Sequence, residues 1–110
     1  MNALRNTVQL IGYTGGEPEV KVFAKGKKLA VITLATNEVF TNEKGEKIKE
    51  TQWHKLIAWG KQAEVVEQYV AKGKEIAVQG KLTYRTYEDN AGEKHYITEI
   101  IIKDLLLLGK

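Results

Sequence analysis

Apolar and polar residues alternate with a period of two along most of this chain. In "TQWHKLIAWGK", residues 51–61, Trp53, Lys55, Ile57 and Trp59 share one parity while His54, Leu56 and Ala58 share the other. A β-strand there directs the two sets to opposite faces. Leu56 and Ala58 suit a core. The other face carries two indoles and an ammonium, which is either a thick cover over that core or a platform for flat, anionic ligands. The alternation also runs through "LRNTVQLIGY", where Val8 and Leu10 interleave with Thr7 and Gln9, until Gly12 and the "TGGEP" turn end it. "PEVKVFAKGKKLAVITLATNEVF" reads as a short strand, a "KGKK" turn and a long strand over residues 29–40. "TNEKGEK" is a hairpin loop leading into the tryptophan-bearing strand.

The period changes once. In "KQAEVVEQYVAKG", Ala63, Val66 and Val70, with Val65 and Tyr69, recur at three- and four-residue spacing. This predicts a helix of about three turns that stops at Lys72-Gly73. Alternation then resumes in "KEIAVQGKLTYRTYED", with Ile76, Val78, Gly80 and Leu82 on one parity and Lys81, Thr83, Arg85 and Tyr87 on the other. "NAGE" is a second hairpin loop. The continuous apolar end of "KHYITEIIIKDLLLLG" predicts burial on both faces or contact with another subunit. Three strands, a helix and two strands describe an all-β fold: a five-stranded antiparallel barrel of the oligonucleotide/oligosaccharide-binding type, with one α-helix between strands 3 and 4. At 110 residues the chain is expected to be a single domain over 1–110.

Composition narrows the chemistry. No apolar run approaches the ~20 residues of a membrane span, and Arg5, Asn6 and Gln9 interrupt the N-terminal segment, so no membrane partner is expected and the cytoplasm is the expected compartment. Zero cysteines exclude disulfides, a thiol nucleophile and thiolate metal sites. His54 and His95 are the only histidines and lie far apart in sequence, so neither a metal nor a cofactor is expected. The carboxylates Glu38, Glu50, Asp89 and Glu99 show no grouping in sequence of the kind hydrolysis requires, although strand pairing could conceal one, and no enzymatic activity is expected. A formal net charge of +3 suits a polyanion without demanding one.

The distribution of charge says more than its sum. Phe40 at the outer end of the long strand, Trp53 and Trp59 on the next, and Tyr87 near the end of the fourth are interleaved with lysine and arginine. Rings along a groove stack successive unpaired bases of any identity, at about 1–3 kcal/mol per base. Cations neutralise phosphates and make binding salt-dependent. Neither contact reads base edges, so the pattern predicts single-stranded nucleic acid with little sequence preference. A tryptophan on a strand can equally be a core lid, but two indoles and a lysine opposite an already apolar face would leave a large exposed patch. His54, on the face opposite Trp53, reads as a packing or subunit-contact group and His95 as solvated surface. "KGKK" at 25–28 and "KGEKIK" at 44–49 are solvated loop charges able to wrap a nucleic-acid backbone.

Nearly the whole chain, from about Asn6 to Leu108, resembles the bacterial single-stranded DNA-binding protein family. The resemblance rests on "VQLIGYTGGEPEV", "ITLATNE", "TQWHKLIAWGKQAEVVEQYVAKGKEIAVQGKL" and "YITEIII". It implies the same barrel and a homotetramer, with a dimer as the alternative, that coats single-stranded DNA in replication, recombination and repair near the nucleoid. DNA as opposed to RNA comes from the resemblance alone, since neither stacking nor phosphate contact needs a 2′-hydroxyl. It assigns stacking to Phe40, Trp53, Trp59 and Tyr87, and phosphate contact to Lys21, Lys55, Lys61, Lys72 and Arg85. Thr7 and Thr83 stand where a cation is often found. The resemblance places His54 at a subunit interface, and the apolar first strand suggests Val8 and Leu10 as further interface residues. Family members typically continue into a glycine- and proline-rich tail with an acidic tip that recruits replication and repair proteins. The present sequence stops at "LLLLGK", which leaves such partners open.

Overall fold

A computed structural model describes residues 4–108. The strands are β1 (Val8–Thr14), β2 (Glu19–Val22), β3 (Lys28–Thr41), β4 (Lys47–Trp59), β5 (Glu75–Glu88) and β6 (Lys94–Leu107), with α1 (Lys61–Tyr69) between β4 and β5. They form one sheet in the order β1-β5-β6-β4-β3-β2. It closes because β1 also pairs with β3 at Tyr13↔Ala35 and Thr14↔Leu34. β2 continues along the same edge of β3, from Glu19↔Val31 to Val22↔Lys28. β1 and β2 are thus one interrupted strand of a closed five-stranded barrel, the architecture the sequence pattern implies. Four of the five junctions are antiparallel. The exception to the all-antiparallel expectation is β4 against β6, which pair in parallel at Leu56↔Ile100 and Ile57↔Ile101. Hairpin periodicity along the chain does not encode the direction of a pair formed between strands distant in sequence.

Alternation decides what lies inside. Ile32 and Leu34 of β3, Leu56 and Ala58 of β4, Ile76 and Val78 of β5, and Ile100 and Ile102 of β6 are buried in one cluster. Val8 and Leu10 of β1 pack against that cluster from within. Gly12 sits where β1 crosses β3, and a Cβ there would lie 2.2 Å from the Ala35 carbonyl oxygen, so closure needs a residue without a side chain.

The helix caps the barrel by inserting Ala63 and Val66, both fully buried, beside Val70. Its nine residues end sooner than the apolar spacing suggests. Val70 is already extended, although its N–H still donates to the Val66 carbonyl, and the left-handed residue is Gly73, in the turn that follows. No helix among the described residues is long and apolar enough to cross a membrane.

Candidate nucleic-acid interface

The two faces of β4 have opposite fates. Leu56 and Ala58 are fully buried, whereas Trp53 is 61% exposed and Trp59 39%. Register carries the outer face across neighbouring strands: Trp53 lies beside Ala35, Lys55 beside Thr33 and Trp59 beside Leu29, whose other neighbour is Lys21 of β2. Lys21 is exposed, in the same row as Trp59. On the far side, the outward parity of β5 supplies Lys81, Thr83, Arg85 and Tyr87, and that of β6 supplies His95, Ile97 and Glu99. Trp53, Trp59, Tyr87, Lys21, Lys55 and Arg85 therefore share one surface.

Each ring has a different support. Trp53 lies against Gly15, where a Cβ would come 2.4 Å from the indole. Trp59 packs beside Phe23, with ring centroids 6.0 Å apart and planes at 31°, and Lys27 Nζ stands 5.2 Å from the centre of its ring. Tyr87 stacks on His95 at 5.0 Å and 19°, which leaves the phenol 45% exposed. His95 is therefore a half-buried support with Nε2 2.7 Å from Asp89 Oδ2, and not the solvated residue the sequence suggests. This neighbour and the Glu93 and Ala91 N–H groups hold the Asp89 carboxyl below the usual carboxylate range. Phe23 is a ring that sequence reasoning missed. Its only signal was a position beside the "KGKK" turn, which folds back over Trp59.

At the centre of the surface, Glu99 is the only buried charged side chain among the described residues. Its Oε1 accepts from Arg85 Nε and its Oε2 from Arg85 Nη2, both at 3.0 Å, and Lys55 Nζ is 3.2 Å from Oε2. The Arg85 fork, with help from Lys55, holds the Glu99 carboxyl below the usual range against the opposing effect of burial. Thr83 Oγ1 donates to the Glu99 carbonyl.

Other residues named from the sequence lie apart from this centre. Phe40 has the parity of core residues Ile32 and Leu34 and pairs with Ile48, so strand alternation sets it on the reverse side of the β3–β4 hairpin from Trp53. Lys61 opens α1 and is exposed. Lys72 lies in the turn after the helix, its backbone N–H on Glu17, and lines a depression with Tyr13, Lys74 and Leu108. His54 is half-buried and its Nε2 is 2.9 Å from Thr36 Oγ1. Val8 and Leu10 point inward, so the outward apolar residues of β1 are Ile11 and Tyr13, 62% and 49% exposed. Of the four carboxylates considered for hydrolysis, strand pairing sets Glu38 and Glu50 opposite one another on the β3–β4 hairpin, while Asp89 caps the β5–β6 turn and Glu99 is in its ion pairs. At that turn Asp89, Glu93 and His95 place ligand-type atoms within 4.8 Å of one another.

Comparison with known proteins gives this surface a context. A family profile described as "Single-strand binding protein family" matches residues 5–108. The chain is 41% identical over 105 residues to "Single-stranded DNA-binding protein 1" of Chlorobaculum tepidum, covering 94% of this chain and 65% of that protein. It is 35% identical to a protein of the same description from Xylella fastidiosa, covering 96% of this chain and 78% of the relative. Among solved structures it is similar to one described as a Plasmodium falciparum SSB complex with ssDNA, with a TM-score of 0.88, 34% identity, and 94% and 95% of the two chains covered. It also resembles a deletion mutant of the single-stranded DNA binding protein from Thermus aquaticus, with a TM-score of 0.82, 28% identity, and 94% of this chain and 50% of that one covered.

Proposed function

The chain belongs to the single-strand binding protein family, and on that premise we propose that it coats single-stranded DNA without sequence preference by stacking bases on aromatic rings and pairing phosphates with cations. The observation that carries this reading is β4 itself. One parity fills the core with Leu56 and Ala58, and the other holds Trp53 and Trp59 at the surface on either side of Lys55. Trp53, Trp59 and Tyr87, with Phe23 beside Trp59, are the stacking rings. Lys21, Lys55 and Arg85 are the phosphate contacts on the same surface. Phe40 on the reverse of the hairpin, Lys61 and Lys72 extend the path of a strand that passes around the domain.

The assembly is a homotetramer, and its interface lies on the outer side of β1, β5 and β6. Ile11, Tyr13 and Leu106 are exposed there, and a groove of about 510 Å³ runs between Ile11, Ala77 and Leu106. Strand β1 pairs with β5 along residues 8–13 but with β3 only at residues 13 and 14, so most of its second edge is open to a strand from another copy. The cellular role is protection of exposed single strands in replication, recombination and repair, in the cytoplasm at the nucleoid. The test is a titration of intrinsic tryptophan fluorescence with a long oligothymidine at low and high salt. Quenching that weakens with salt is the expected result, and an unchanged spectrum from folded protein would overturn the proposal.

A further inference from the structure

Removing a carboxylate from water at the centre of an anion-binding surface is costly, and Glu99 is 6% exposed. What it does there follows from its partners. Two oxygens face two N–H groups of one guanidinium, a planar fork that fixes the direction of the whole Arg85 head group. Nη1 keeps its hydrogens free of any hydrogen bond among the described residues, and the Arg85 side chain is 53% exposed. Lys55 meets the same carboxylate from the other flank and is 35% exposed. The cluster thus presents two cations to solvent above one buried anion.

We infer that Glu99 is a positioning residue of the single-strand interface, holding the Arg85 fork and Lys55 in place and cancelling one of their two charges. This rests on the reading of the surface as a single-strand binding site. A phosphate reaching the centre meets a guanidinium already oriented, so little side-chain entropy remains to be lost. It also meets a smaller net charge, which limits how firmly the strand is held and keeps the central contact exchangeable. The rings then carry a larger share of the affinity than two unopposed cations would leave them.

Glu99→Gln keeps the shape of the side chain and removes its charge. The slope of log K against log salt for an oligothymidine is about −0.7 per phosphate neutralised on a single strand. With Glu99→Gln the slope is expected to become more negative by about 0.7, with tighter binding at low salt. Arg85→Gln is expected to shift it the other way, and the double variant to return close to the wild-type slope. A Glu99→Gln protein that is folded by circular dichroism, with an unchanged or shallower slope, overturns the inference. Arg85→Lys tests positioning without touching Glu99, because an ammonium keeps the charge but cannot form the fork. Weaker binding at an unchanged slope supports the inference, and wild-type affinity overturns it. If the wild-type protein fails to bind oligothymidine at low salt, the single-strand reading itself has failed and the inference falls with it. Wild-type binding with unaltered variants defeats the inference alone.

Discussion

Trp53 and Trp59 occupy the same face of the same strand, yet their neighbours make them unequal. Trp59 already has Phe23 beside it and Lys27 near its ring, whereas Trp53 rests on a glycine. The more open indole should report DNA more strongly. In Trp59→Phe, where only Trp53 emits, saturating oligothymidine is expected to quench a larger fraction of the signal than in Trp53→Phe. Gly15→Ala would thrust a Cβ to 2.4 Å from the Trp53 ring and displace it, so weaker DNA binding is expected with Lys21 and Arg85 untouched, measurable by the same titration. Glu99 supplies a pH dependence. Its folded pKa is depressed by Arg85 and then Lys55, so the stability it confers is complete above the unfolded glutamate value of about 4.3 and is lost as pH falls through the lower folded value. The melting temperatures of wild type and Glu99→Gln should accordingly converge on acidification below that value, and a constant gap would contradict the assignment. The inner and outer faces of β4 were legible in the sequence, because alternation needs only one strand. The Glu99 cluster was not: its three side chains come from β4, β5 and β6, and their meeting depends on a register no local pattern specifies.

Closure of the barrel is a property of elements. β1 is held to β5 by a long register but to β3 by two residue pairs, and Gly12 lies at that crossing. A methyl group at Gly12 meets backbone at 2.2 Å and cannot be relieved by turning a side chain, so Gly12→Ala is expected to cost about 1–3 kcal/mol, as overpacking generally does. Thermal denaturation would show the loss, and faster hydrogen exchange at Gly15, whose N–H donates to the Thr33 carbonyl of β3, would locate it at the seam. The helix illustrates a different limit of sequence reading. Of its apolar stripe, Ala63, Val66 and Val70 are buried as the spacing foretold, whereas Tyr69, which belonged to the same stripe, is 56% exposed. The helix nevertheless ends at Tyr69: Val70 keeps its N–H bond to the Val66 carbonyl but is itself extended, and the turn that follows runs through the left-handed Gly73. Burial is set by the side chain, whereas the end of a helix is set by the competition between backbone and packing.

Over the whole molecule, the apolar surface exceeds what one barrel covers. The run "LLLL" foretold burial or contact, and in the monomer Leu106 is 67% exposed and Leu107 39%. Together with Ile11 and Tyr13 they give the reason to expect a particle of four times 12.4 kDa by light scattering after size exclusion. A mass near 12.4 kDa at micromolar concentration would refute the tetramer. Ile11→Lys, which puts a charge on the outer face without touching the core, is expected to shift the assembly towards smaller species while leaving the fold intact. The sequence had suggested Val8 and Leu10 for this contact. It showed that β1 was apolar, but which parity faced the core depended on how the strand docked on β5.

The two faces of β4 also set what changes of length this chain can absorb. Deleting or inserting one residue between Trp53 and Trp59 would slide the remainder of the strand by one parity, turning an indole inward and a core side chain out. A single such event would abolish core and platform together, though each amino acid were otherwise retained. The turns at residues 42–46 and 89–93 join strands beyond the barrel, and added residues there would change neither parity. Lineages of this domain should accordingly vary in the length of their hairpin tips while keeping the six-residue interval from Trp53 to Trp59 fixed.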